Sequence, residues 1–382
     1  MSRINVHIYP SDFQNESRIM KITKSLNKNN LFDEIILIGR GRGKKNISNK
    51  IILYLFSGSN KPGRILIKIF RFIIWYVEVL FFMRNKKIKM VNAHSLSVLP
   101  MACAISVLNF GKTQIIYDTH ELETETTSMI GINKKLGKIV EKNLIRFVTH
   151  TFVVSKSIEN WYKKKYPNVS ISTIINVPER KNIVKSNYLR KYFQIGSNHK
   201  IAIYQGDLGP GRGIEILLKL FEEPPENFCL IFLGNGPYEK LIKSHKFFNN
   251  FVFQHDFVPL SDLQKITSSA DIGLVLIEPV SLSNEFCLPN KLFEYCFSGL
   301  PVITTKLIEL EDFVRSYNIG WILESNSLID IYPLKKLLIS LSKEDILEKG
   351  INARSLSKTF NWDEEEKMLI KQYKKVLNNN IN

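Results

Sequence analysis

Cysteine is scarce in this chain. There are four in 382 residues, Cys103, Cys229, Cys287 and Cys296, and none stands at CxxC spacing. A disulfide framework is therefore excluded, and a reducing compartment is expected. No apolar leader precedes the first strand. Met1-Ser2-Arg3 runs straight into Ile4-Asn5-Val6-His7-Ile8-Tyr9, so no signal peptide is expected. Acidic residues are in deficit, 36 Asp and Glu against 53 Lys and Arg, for a net charge of +17. No sequence repeat of solenoid length is present. No aromatic-basic motif of the kind that binds nucleic acid is present either. No DxD pair falls in a suitable loop, so no metal is expected.

What remains is globular: 44% hydrophobic and 23% charged residues. The length suits two or three domains. The basic surplus is uneven. Residues 1–190 hold 32 Lys and Arg against 12 Asp and Glu, a balance of +20, whereas residues 191–382 balance to −3. The first half therefore calls for an anionic partner: a membrane surface, a nucleic acid or a phosphorylated substrate.

Short apolar runs alternate with helical periodicity along the chain, the pattern of parallel α/β sheets. Strands are expected at Ile4–Tyr9, Ile35–Gly39, Ile51–Phe56, Met90–Ala93, Gln114–Tyr117, Thr151–Val154 and Ile174–Val177. Arg40–Lys45 reads as a basic loop. Residues 178–198 are polar and aperiodic, and read as a linker. A second α/β rhythm starts at Ile201–Gln205, then Cys229–Leu233, Phe251–Phe253 and Asp271–Ile277. Ser261 is placed as a helix cap. The domains expected are 1–186, 199–360 and a terminal helical piece, 361–382.

Ile65 to Met83 is a 19-residue stretch, mostly apolar. Lys68, Arg71 and Glu78 inside it would be costly in mid-bilayer. Aromatic residues with flanking Arg64, Arg84, Lys86, Lys87 and Lys89 suit a helix lying in a membrane interface, with Trp75, Phe81 and Phe82 as candidate lipid contacts. A core helix packed on a sheet is the competing reading.

The segment Ser283 to Thr305 reads as loop, helix, turn and strand. Pro289 suits an early helical position, and Gly299 supplies the stop. A helix N-terminus offers free N–H groups to a phosphate. Glu294, one turn inside, is placed to accept from a ribose diol.

These features resemble bacterial glycosyltransferases of the GT-B fold, in the large family 4 of retaining enzymes that includes the cell-surface polysaccharide type. The marks are YDTHEL at Tyr117–Leu122, VVSKSI at Val153–Ile158, YQGDLGPGRGIE at Tyr204–Glu215, FLGNGP around Leu233, and LPNKLFEYCFSGLPVI at Leu288–Ile303. The resemblance implies two Rossmann-like, doubly wound domains facing across a cleft. The first would take the acceptor, the second the nucleotide-sugar, and the last helix would cross back onto the first.

By motif, Glu294 matches the ribose-binding glutamate. Arg212, in the turn with Gly213 and after Gly206, matches a cation facing the diphosphate, and Lys291 lies beside the same phosphates. Leu288, Pro289 and Asn290 would offer backbone to the sugar or β-phosphate. Phe257 and Val258 stand where the base is held. His94 matches an acceptor-domain histidine near the transferred sugar, and His120 lies at the next strand end. The resemblance thus implies His94, His120, Arg212 and Lys291 as the catalytic set.

The chain departs from the pattern in three places. Phe286, with Glu285 beside it, stands where a first glutamate is usual. Asp207 follows Gly206 where arginine is common. Pro10-Ser11-Asp12 replaces the first glycine loop.

The implied activity is sugar transfer from a UDP-sugar, or a GDP-sugar second, to a lipid-linked or saccharide acceptor. No cofactor or metal would be needed. The enzyme would be cytoplasmic and peripheral, on the inner face of the cytoplasmic membrane. A nucleotide-sugar epimerase and a non-catalytic partner subunit of the same fold are the alternatives.

Overall fold

Strand β1 (Ile4–Ile8) starts the first sheet because its Val6 and Ile8 are completely enclosed. In this computed structural model the described residues are 3–57, 65–181, 183–324 and 330–378. The chain divides into two units. One comprises 1–175 with 365–382, the other 176–364.

The first unit continues through α1 (Ser17–Lys28), β2 (Glu34–Gly41), β3 (Gly43–Asn46), β4 (Ile51–Ser57) and α2 (Ile65–Met83). It then runs through β5 (Ile88–Ala93), α3 (Leu99–Leu108), β6 (Gln114–Asp118), α4 (Gly131–Leu144), β7 (His150–Val153), α5 (Lys156–Lys165) and β8 (Ile171–Thr173). The sheet order is β3-β4-β2-β1-β5-β6-β7-β8. Only the β3–β4 pair is antiparallel. The chain winds outward from β1 in both directions, so β1 and β5 flank the point where strand order reverses. Ligands of open α/β sheets bind at the carboxyl ends beside such a point.

The expected basic loop at Arg40–Lys45 is instead the end of β2, where Arg40 and Gly41 pair with Phe56 and Ser57, and the start of β3, which pairs with β4 through Gly43↔Leu55 and Lys44↔Tyr54. Its strand residues are polar and exposed, so they carry no alternation to read. The strand expected at Ile174–Val177 lies earlier, at β8, and only Ile174 N–H continues the contact, to Val153 O.

Helix α2 has two apolar faces. Trp75, Val79 and Met83 are fully buried, and the Trp75 indole donates to Gly39 O at 2.9 Å. Phe82 packs between Tyr54 and Phe56. The outer row, Phe70, Ile73, Val77 and Phe81, is exposed, with Phe70 and Phe81 each at 63%. Trp75 and Phe82 are thus packing residues, not lipid contacts. Arg64 lies outside the described residues. No described helix is long and apolar enough to cross a membrane.

The second unit begins with α6 (Tyr188–Tyr192), inside the stretch expected to be a bare linker. Leu189 is buried, and Tyr188 and Tyr192 pack on His255, contacts too few to create a periodicity. Then come β9 (Lys200–Gln205), α7 (Ile214–Leu220), β10 (Phe228–Leu233), α8 (Glu239–Lys243), β11 (Val252–His255), α9 (Leu260–Thr267) and β12 (Ile272–Val275). They are followed by α10 (Leu282–Glu285), α11 (Asn290–Phe297), β13 (Val302–Thr305), α12 (Ile308–Tyr317), β14 (Gly320–Leu323), α13 (Tyr332–Ser340) and α14 (Lys343–Ser355). The sheet order β11-β10-β9-β12-β13-β14 is wholly parallel. It is the doubly wound order of dinucleotide-binding folds, reversing between β9 and β12.

Pro259, not Ser261, is the cap of α9, with an extended backbone. Pro289 likewise sits outside α11 at φ −74°, ψ 146°, and Asn290 is the first helical residue. Proline fixes φ but leaves ψ free to be extended.

Helix α15 (Trp362–Asn378) follows, and from Glu365 it belongs to the first unit. There Leu369, Tyr373 and Val376 are buried. Tyr373 stacks on Phe152 and meets Phe32 edge-on.

Candidate functional site

The second unit carries a pocket of about 310 Å³ at the carboxyl ends of β9 and β10. Helix α11 is pinned beside it by Tyr295. The Tyr295 hydroxyl accepts from Gln205 N–H at 2.9 Å and donates to Ile203 O at 3.1 Å. Its ring lies where Gly273 would otherwise carry a Cβ, 2.3 Å from that position. A glycine in β12 therefore lets the helix approach the sheet.

With α11 so held, Pro289, Asn290, Lys291 and Glu294 line the pocket from the helix's first turns. The Gln205 side-chain amide donates to the Glu294 carboxylate, and Thr267 Oγ1 donates to Gln205 Oε1 at 2.7 Å. This relay fixes the carboxylate at the pocket wall.

Lys291 stands over the Tyr204 ring, its Nζ 3.8 Å from the centroid. Burial, and then the charge of Arg212, push its ammonium down from the usual lysine range to about 7. Arg212 lines the same pocket. Two cations and a helix N-terminus thus converge on one space.

The opposite wall depends on close backbone approach. Gly206 (φ +119°) and Gly234 (φ +142°) face each other, and a Cβ on Gly234 would stand 2.1 Å from Gly206 O. Any side chain at Gly234 would separate the two strand-end loops. Phe257 and Val258 complete the rim, where Phe257 N–H donates to Asn235 Oδ1 at 3.0 Å.

Of the residues singled out by sequence, Gly206, Arg212, Phe257, Val258, Pro289, Asn290, Lys291 and Glu294 line this pocket. Gly213 and Leu288 do not. Gly213 is the N-cap of α7 and its N–H donates to Glu278 Oε1 at 3.3 Å, and Leu288 is buried. Tyr204, Gln205, Asp207, Leu233, Gly234 and Leu263 are lining residues that sequence reasoning missed. The polar Gln205, ending an otherwise apolar strand beside the glycine loop, was the available signal.

The first unit holds His94 at the end of β5, and it is enclosed, with no exposed side chain. Asn5 Nδ2 donates to His7 Nε2 at 3.0 Å, His7 Nδ1 donates to His94 Nε2 at 2.9 Å, and His94 Nδ1 donates to Asp118 Oδ2 at 2.9 Å. This chain of tautomers follows from the amide donor at its start. Burial lowers the pKa of both His7 and His94, so both stay neutral. Burial opposes ionisation of Asp118, but Arg18, His120 and His94 hold its carboxyl well below the usual range. Arg18 Nε lies 3.1 Å from both carboxylate oxygens, and its terminal nitrogen 2.7 Å from Oδ1. At the other end, the Tyr373 hydroxyl donates to Asn92 Oδ1 at 2.6 Å.

Both ring nitrogens of His94 are therefore spent inside the fold. Of its two partners, Asp118 is the charged one. His120 is the partly exposed member. Its ring stacks on Tyr9, and its Nε2 lies 3.4 Å from Asp118 Oδ2 without hydrogen-bond geometry. His94, Asp118 and His120 also form the one grouping among the described residues with metal-ligand proximity. The Asp118 carboxylate already carries the Arg18 guanidinium, and His94 Nε2 already carries a proton donor. The grouping therefore holds its positive charge in a side chain.

Residues 187–354 match the family model described as "Glycosyl transferases group 1". No curated protein matches the chain. Sucrose-phosphate synthase from Thermosynechococcus elongatus superposes with a TM-score of 0.80 at 13% identity, over 99% of this chain and 100% of that one. HepE from Anabaena, in complex with UDP-glucose, gives 0.73 at 11% identity, over 97% and 99%. WaaG, a glycosyltransferase of lipopolysaccharide biosynthesis, gives 0.66 at 13% identity, over 96% and 98%. The fold is that of the GT-B glycosyltransferases.

Proposed function

We propose that this chain, a transferase by its group 1 glycosyl transferase segment, is a retaining enzyme. It moves a sugar from a UDP-sugar to a lipid-linked or saccharide acceptor in surface polysaccharide synthesis. The observation that carries the reading is the convergence of Glu294, Lys291 and Arg212 on the N-terminal turn of α11. HepE, of the same fold, is described in complex with UDP-glucose and with UDP, which supports a UDP donor.

In this reading Glu294, oriented by Gln205, accepts from the ribose hydroxyls. Arg212, Lys291 and the free N–H groups of α11 take the diphosphate. Departure of the nucleotide builds charge on that diphosphate, and fixed cations and dipoles stabilise it without reorganising. A divalent cation is unnecessary where two side-chain cations already face the leaving group. In the first unit, His120 is the group that acts at the acceptor side, beside the Asp118 carboxylate that Arg18 and His94 hold in place.

The outer row of α2 supports an anionic bilayer as a further partner. Its aromatic end is flanked by cations, with the Arg84 guanidinium 3.7 Å from the Phe81 ring centroid. Helix α4 adds a similar exposed row, Ile132, Leu136 and Ile139, among Lys134, Lys135, Lys138 and Lys142. Apolar rows rimmed by lysine suit the headgroup boundary.

The test is a transfer assay with a panel of UDP- and GDP-sugars and both acceptor types, with EDTA present. Release of UDP with an α- or β-linked product of the donor's own anomeric configuration is expected. Release of UDP with a free, epimerised sugar would replace transfer by epimerisation. Binding without turnover across the panel would make the chain a non-catalytic subunit. Activity lost in EDTA and restored by Mg²⁺ would refute the metal-free mechanism.

A further inference from the structure

The second unit has another pocket, of about 550 Å³, at the opposite end of its strands from the donor site. Lys200, at the start of β9, and Asp271, just before β12, mark that end. Ser298 and Gly299, at the C-terminal end of α11, form its back. One face of α14 forms the remaining wall.

Its chemistry is basic. Lys185, Arg190, Lys200, Lys343 and Arg354 line it against the single carboxylate of Asp271. Asp271 is already matched, by Arg190 at 2.7 Å and Lys185 at 3.5 Å. The other three cations keep unspent donors. Lys200 Nζ donates to Leu341 O at 2.6 Å, and Arg354 donates to Ile183 O, each using one N–H of several. Lys343 is exposed and makes no ion pair among the described residues.

Ser298 lies at the back of the pocket, 5% exposed, with its hydroxyl closed off from the cavity. The α14 wall adds apolar surface from Ile346, Leu347 and Ile351.

We propose that this pocket is a second binding site, for an organic phosphate monoester. Its phosphate is held by Lys200, Lys343 and Arg354, and its apolar body lies on the α14 wall. The proposal does not depend on the activity assigned above.

The probe is phenyl phosphate, compared with inorganic phosphate, by thermal shift and calorimetry on the full chain. Two variants separate the sites. Lys343→Glu reverses a pocket charge at an exposed first-turn position, where a carboxylate suits the helix and leaves folding intact. Arg212→Ala disables the donor pocket. Phenyl phosphate is expected to raise the melting temperature of the wild type and of Arg212→Ala alike. It should bind at least tenfold more weakly to Lys343→Glu, and at least tenfold more tightly than inorganic phosphate to the wild type. The proposal is overturned by the absence of any shift in the wild type. Loss of binding in Arg212→Ala, or unchanged affinity in Lys343→Glu, would equally overturn it. Equal affinity for the two probes would remove the organic body from the assignment.

Discussion

Lys291 gives the donor pocket a pH dependence that can be worked out in advance. Its ammonium sits against the Tyr204 ring, partly withdrawn from water and near Arg212, and titrates at about 7. A nucleoside diphosphate brings negative charge into the same space and raises that value again. The group therefore binds a proton more tightly in the complex than in the free protein. Affinity for UDP is then complete below pH 7 and fades as pH rises toward the bound-state value. Between pH 7 and pH 9 the charged fraction of free Lys291 falls from roughly one half to roughly one hundredth, so affinity should drop about 50-fold. The phosphate itself has a second pKa of about 6 and has finished titrating by then. Calorimetry of UDP binding at pH 8, in two buffers of different ionisation enthalpy, should report nearly one proton taken up per UDP. Lys291→Met should bind weakly with no proton uptake and a flat profile over the same interval. A wild-type affinity that changes less than about threefold between pH 7 and pH 9, with no proton uptake, would refute the reasoning.

Three further outcomes follow from the same geometry. Glu294→Gln removes the carboxylate that Gln205 orients, and should weaken UDP binding by about 1–3 kcal/mol with the fold intact; unchanged affinity by calorimetry would exclude the ribose role. Tyr373→Phe leaves Asn92 Oδ1 without its donor in a fully buried network. Urea unfolding should show a loss of about 1–3 kcal/mol in the first unit's transition, and no loss would mean that the network tolerates the gap. Replacing Phe70, Ile73, Val77 and Phe81 by Ser should reduce co-sedimentation with anionic vesicles while leaving UDP affinity unchanged. Wild-type binding should also fall with salt. A wild type that ignores such vesicles would remove the bilayer from the reading.

Local signals carried the elements of this fold well. The apolar stretch Ile65–Met83 coincides with α2, Ile214 begins α7 after its glycine turn, and the Ser155 side chain accepts from Ile158 N–H as a cap. The donor-pocket residues were legible for a related reason: glycines, a proline and a helix start lie close together in the chain. What could not be read depends on partners far apart in sequence. His94 is enclosed by His7, 87 residues away, and by an Asp118 that Arg18 holds from 100 residues away. No spacing rule announces that both its nitrogens are occupied. The place of Trp75 is not legible because α2 carries two apolar faces, and periodicity does not say which one meets the sheet. Gln205 was overlooked because its role appears only once α11 has folded back beside β9.

The return of α15 has a consequence for how the molecule is made. The second unit is one uninterrupted segment, 176–364, and can complete its core as soon as it has left the ribosome. The first unit is synthesised earlier yet must wait, because Leu369, Tyr373 and Val376 of its core follow the whole of the second unit in the sequence. Until then Phe32 and Phe152 lack their ring partner, and the Asn5–Asn92–His7 cluster lacks its closing hydroxyl. A chain cut short after Glu364 therefore carries every residue of the second unit but leaves the first unsealed, the state on which a chaperone or a protease would act.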